Sequence, residues 1–192
     1  LTARPGIVWL DGHAGEPTGG AALGADALIE AAPGPVTRLS APRLSMAQVE
    51  SQRGATWVVE DVSGPLATPE GKAALESVFA SERFVFVEQG YGWCRARSPV
   101  RHRALFGHEC DCLARPHGAL AALYALAQRR ARHVFYMSVL HLGSSRHFLG
   151  RLFSRQASVL GPCYPRATLE QALALGRTRA GADWLVVTSS DR

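Results

Sequence analysis

At 192 residues the chain is one large domain or two small ones, and its 47% hydrophobic content suits an ordinary globular protein with a sizeable core. The formal charge of +5 rests on arginine, with Lys72 the only lysine, and no basic block is long enough to act as a nucleic-acid arm. No run reaches the roughly 18–20 apolar residues of a membrane helix, and four cysteines are too few for a disulfide framework, which suits a reducing, cytoplasmic setting.

Ala, Gly, Arg and Leu dominate, a bacterial-like composition. Leu1 opens the chain with neither a methionine nor a signal-peptide pattern. Arg192 follows closely on an expected strand, so the sequence reads as a piece of a longer protein. Ile7–Leu10, bounded by Pro5-Gly6 and Asp11-Gly12, predicts a buried strand. A glycine-rich loop to Gly20 follows, then a helix over 21–32, ended by Pro33-Gly34, and a strand over 36–39. Ser45 with Gln48 forms a capping box that opens a helix running to Arg53. Thr56–Val59 is a third strand, ending at Glu60-Asp61. Pro69 stands at the first position of the next helix, and Phe84–Val87 is a fourth strand ending at Glu88.

From Gly90 to Gly118 the hydrophobic period breaks, in a stretch that holds three of the four cysteines and three of the seven histidines. So long a loop is either functional or hides structure, and 105–113 is a candidate extra strand. A helix over 119–132, a strand over 134–140, a helix over 145–155, a strand over 157–160, a helix over 168–179 and a strand over 184–187 complete the chain. Short apolar strands separated by helices predict a three-layer α/β fold with a mainly parallel sheet covered on both faces, in a single domain over 1–192.

Pro42-Arg43-Leu44-Ser45 through Gln48 matches Pro165-Arg166-Ala167-Thr168 through Gln171, and Trp57 matches Trp184. Residues 7–60 and 133–188 are thereby expected to be duplicated βαβαβ halves joined through 61–132. The alternative is that α/β chains repeat such local signals by chance.

The Asp11-x-His13 loop followed by the 36–60 segment resembles cobalamin-binding domains, although Glu16 stands where that family has glycine. The 160–187 tail, with Cys163 in a loop, is similar to thiolase-fold condensing enzymes but for Pro165. The 132–177 segment is similar to the C-terminal half of STAS regulatory domains. Each resemblance covers less than half of the chain and they imply different folds, so the sequence assigns no family and no cofactor.

Open α/β sheets bind ligands at the carboxyl ends of their strands. Asp11 and His13, Glu60 and Asp61, Glu88, His141, Cys163 and Ser189-Ser190 are expected there. Asp11 and His13 form a candidate base and orienter. Glu60, Asp61 and Glu88 either converge as a carboxylate cluster or simply end strands at the surface. Cys163 is either a nucleophile or an inert thiol. Gly143, Ser144, Ser145 and Arg146 are expected where a strand runs into a helix, a cofactor-binding position for an anion unless Ser144 or Ser145 is only a cap. His108, Cys110 and Cys112, with His117 and the more distant Cys94, offer the ligand types zinc prefers, but Cys-x-Cys is a poor knuckle spacing. In the rival reading, Arg95, Arg97, Arg101 and Arg103 contact a partner.

Two functions follow as expectations. One is a small-molecule site, possessing enzymatic groups or not, for an anionic or phosphorylated ligand at the strand carboxyl ends. The other is a non-catalytic regulatory or interaction domain, STAS-like or an inactive enzyme-like scaffold, whose arginine-rich 91–118 stretch meets a partner protein or another copy of the chain.

Overall fold

The computed structural model describes residues 6–12, 20–60, 62–80, 83–96, 98–112, 118–161 and 163–178. His13, Asp61, Arg97, His117, the 184–187 strand and Ser189-Ser190 lie outside the described residues.

Among the described residues, six parallel strands form one sheet. They are β1 (Ile7–Asp11), β2 (Val36–Ser40), β3 (Thr56–Val59), β4 (Phe84–Glu88), β5 (Val134–Tyr136) and β6 (Ala157–Val159), arranged in the order β2-β1-β3-β4-β5-β6. Among the described residues, seven α-helices connect and follow them: α1 (Gly20–Glu30), α2 (Met46–Ser51), α3 (Pro69–Ala80), α4 (Pro99–Phe106), α5 (Gly118–Arg130), α6 (Val139–Leu149) and α7 (Arg166–Thr178). The three-layer parallel architecture expected from the sequence is the one observed. No helix among the described residues is long and apolar enough to cross a membrane.

Alternation along the strands sorts the two faces. Val8, Leu10, Trp57, Val59, Phe84 and Phe86 belong to one buried cluster with Leu75, Val78 and Phe79 of α3 and with Leu123, Tyr124 and Ala127 of α5. Ring pairs knit this layer, with Phe79 and Phe84 centred 4.9 Å apart and Phe86 meeting Tyr124 edge-on at 5.6 Å. Trp9 and Asp11 point to the other face, where α1 reaches across through an ion pair between its Asp26 and Arg38 of β2.

Local chemistry sets several boundaries. The capping box of α2 forms as expected, Ser45 Oγ accepting from the Gln48 amide and Gln48 Oε1 accepting from the Ser45 amide. In the first turn of α3, Gly71 lies under the 3₁₀ turn Gly64–Ala67, and a β-carbon there would stand 2.4 Å from the Pro65 carbonyl oxygen.

Three expectations are corrected. Residues 134–140 are not one strand: β5 stops at Tyr136, and Ser138 caps α6 by accepting from the His141 amide at 3.0 Å. The helix then ends at Leu149, where Gly150 turns with φ 52°, and not at 155. The expected strand at 105–113 is instead preceded and partly replaced by α4, with Ser98 as N-cap, Pro99 in its first turn and Gly107 at φ 74° as C-cap. The duplication fares differently. In the first half β1 lies between β2 and β3, whereas β5 lies between β6 and β4, so β4 fills the place that a counterpart of β3 would take. Trp184 lies outside the described residues.

Candidate functional site

Strand order reverses between β1 and β3, which makes their carboxyl ends the switch point of the sheet. Asp11 ends β1 and Glu60 follows β3, and both side chains are buried. The register pairs Leu10 with Val59, so Asp11 and Glu60 are adjacent and share the α1 face. The Trp9 indole donates to Glu60 Oε2 at 3.1 Å, and the Gln89 amide donates to Oε1. Arg38 Nε lies 2.5 Å from Asp11 Oδ2 while its Nη1 reaches Asp26 at 2.6 Å, forming a chain from β1 through β2 to α1. Burial pushes the Glu60 carboxyl up to about 7, and the charge of Asp11 pushes in the same direction. The hydrogen bonds from Trp9 and Gln89 and the charge of Arg38 oppose that rise without cancelling it.

Glu88 does not join this pair. Val59 pairs with Phe86, which places Glu88 on the α3–α5 face, opposite Glu60. There its Oε1 accepts from the Gly90 and Gly92 amides at 3.2 and 3.1 Å, bending the chain that leaves β4. Gly92 is confined by this arrangement, for a β-carbon would lie 3.1 Å from the Tyr124 ring and 3.4 Å from Glu88 Oε2. Glu88 also sits among Tyr124, Tyr136 and Gln128. Burial, then the Glu88 charge, raises both phenols above their ordinary range. Glu88 therefore holds a turn and a buried polar group together, and Glu60 and Glu88 do not converge.

Gly143, Ser144, Ser145 and Arg146 lie inside α6, after its first turn, so their amides do not form a free helix end. The physical ground for an anion site at these four residues is gone, because Ser138 begins the helix earlier. Ser145 is buried, while Gly143 and Arg146 are exposed. His141 is buried against the rings of Tyr91 and Tyr136, 4.6 and 5.1 Å away, and desolvation lowers it to about 4. Cys163 follows β6 and its thiol lies 3.6 Å from the Gly161 carbonyl, with its own carbonyl close to Gly24 of α1.

In the Cys/His stretch the fold brings together Cys94, His102, Cys110 and Cys112, whose four ligand atoms all lie within 4.8 Å of one another. Cys94 Sγ and Cys110 Sγ are 3.5 Å apart, and His102 Nδ1 is 3.6 Å from Cys94 Sγ and 3.4 Å from Cys112 Sγ. Cys94, His102 and Cys112 are buried; desolvation pushes the Cys110 thiol up to about 12, with the neighbouring thiols acting in the same direction and a hydrogen bond from the Cys112 backbone opposing it. His108 stands outside this group and exposed; with His102 and Asp111 it forms a second set, and its Nδ1 meets the Glu109 carbonyl. Sequence reasoning overlooked His102, although Ser98-Pro99 and Gly107 bracket a helix that turns this one residue inward. No protein-family model, curated protein or solved structure matches the chain.

Proposed function

We propose that the chain is a small-molecule-binding α/β domain whose ligand lies at the carboxyl ends of β1 and β3, with Glu60 as the group that exchanges a proton with it. One arrangement carries this reading: at the switch point Glu60 is 5% exposed and hydrogen-bonded at both oxygens, and burial pushes its carboxyl up to about 7. A carboxyl balanced there both gives and takes a proton at neutral pH. The helix α1 opens at the same end of the sheet with no acid in its first turn, which favours an anionic or phosphorylated group on the ligand. Asp11, held by Arg38, stands beside Glu60 and orients that side of the site.

The test is thermal denaturation at neutral pH with inorganic phosphate, pyrophosphate, nucleotides and sugar phosphates. A subset raises the melting temperature by mass action. Glu60→Gln loses that response, whereas Glu30→Gln, at the far, exposed end of α1, keeps it. A parent protein indifferent to the whole panel, or a Glu60→Gln variant that responds like the parent, overturns the reading.

A second reading is favoured by α4, where Val100 and Leu105 are 80% and 60% exposed beside the exposed Arg101 and Arg103. Isolated large apolar residues are ordinary, but this pair flanks the arginines of the 91–118 stretch. Here the domain is a non-catalytic regulatory one and α4 meets a partner protein or another copy. Light scattering on the parent and on Val100→Asp/Leu105→Asp decides the self-association case: a larger species that the double variant breaks supports it, and a monomer in both removes it.

A further inference from the structure

We propose that Cys94, His102, Cys110 and Cys112 bind one Zn²⁺ as a closed, structural Cys₃His site. The geometry is close to what the ion needs. Zinc–sulfur bonds of about 2.3 Å and zinc–nitrogen bonds of about 2.0 Å in a tetrahedron imply sulfur–sulfur edges of about 3.8 Å and sulfur–nitrogen edges of about 3.5 Å. The observed edges are 3.5 Å for the Cys94–Cys110 sulfurs and 3.6 and 3.4 Å from His102 Nδ1 to Cys94 and Cys112. Three thiols and an imidazole drawn together around one point, with three of the four residues buried, make a dedicated cage and not a surface coincidence.

The surroundings fit the same role. His102 turns Nδ1 to the thiols and Nε2 toward Asp111, whose Oδ1 lies 3.8 Å away. A carboxylate behind a ligating histidine fixes the ring and strengthens its donor nitrogen. The approach to the cage is also anchored. Glu88 grips the Gly90 and Gly92 amides just before Cys94, and Ser98 caps the helix that presents His102. Tyr91 and Trp93, on the same approach, pack against His141 and Phe148 of α6, with Trp93 and Phe148 centred 5.1 Å apart.

Four protein ligands complete the tetrahedron and leave no open position for a substrate, so the ion closes the segment from Cys94 to Cys112 onto itself around α4. On binding, the three thiols release their protons to solvent as thiolates. The ligand set spans Cys94 to Cys112 through α4, with spacings of seven, seven and one intervening residues, which is why no Cys-x₂-Cys knuckle signals it.

The experiment is metal analysis and zinc X-ray absorption on the full chain purified under reducing conditions. The expected result is one zinc per chain with three sulfur neighbours and one nitrogen. Cys112→Ser and His102→Asn lose the equivalent, or bind it at least tenfold more weakly, while His108→Ala and Cys163→Ser retain it. Because loss of a ligand side chain can also prevent folding for other reasons, the absorption spectrum of the parent stands as an independent readout. Two sulfurs and two nitrogens, which would bring in His108, overturns the ligand set. A reduced chain that takes up neither zinc nor cobalt, or one isolated with a Cys94–Cys110 disulfide and no metal, overturns the site.

Discussion

The indole of Trp9 donates to Glu60 Oε2 at 3.1 Å, joining side chains 51 residues apart across the β1–β3 boundary. The bond steadies a carboxyl that burial would otherwise drive further toward its neutral form. The acid lies where, among the described strands, the order of the sheet reverses.

The folded pKa of Glu60, about 7, lies above its ordinary 4.5, so its contribution to stability is full below about pH 4.5 and is lost as pH rises through 7. His141 runs the other way: at about 4 against an ordinary 6.5, its contribution is present above 6.5 and lost as pH falls through 4. In the parent the two slopes oppose each other between pH 4.5 and 6.5. Urea unfolding at stepped pH should show stability rising with pH in Glu60→Gln and falling with pH in His141→Asn. The Glu60 component is about 3 kcal/mol over its window. A Glu60→Gln curve parallel to that of the parent contradicts the assigned shift.

Gly71→Ala should destabilise the fold by roughly 1–3 kcal/mol, since the added methyl meets a backbone carbonyl that cannot rotate away. The Pro65 oxygen would be 2.4 Å from it, and α3 would have to lift off the 3₁₀ turn beneath. A melting temperature unchanged by the substitution would show that the turn yields freely.

Gly143→Ala should do the opposite. Gly143 sits exposed in the middle of α6 with nothing within 4 Å of a β-carbon. Replacing a mid-helix glycine by alanine stabilises by roughly 0.5–1 kcal/mol. The same change would be costly in a tight strand-to-helix turn, so chemical denaturation of this one variant distinguishes the two placements.

The strands β1, β3 and β4 were legible because each is a short apolar run closed by an acid, and buried parallel strands need nothing else. The α2 cap was legible because Ser45 and Gln48 satisfy each other's backbone within four residues. The apolar run into α6 misled for a physical reason: Val139 and Leu140 extend the hydrophobicity of β5, yet they are 76% and 78% exposed in the first turn of a helix. Periodicity does not separate strand from helix over so few residues. Helix α4 escaped notice because it has no apolar face, and His102 is its one buried residue. The opposed placement of Glu60 and Glu88 depends on register between strands, which no local pattern carries.

Glu88 and Gln89 are consecutive residues with partners on opposite sides of the sheet: one holds the Gly90–Gly92 turn, the other reaches Glu60. The sheet thus acts as a septum, keeping the carboxyl pair and the cysteine-bearing turn in separate compartments. The peptide bond between these two residues crosses it.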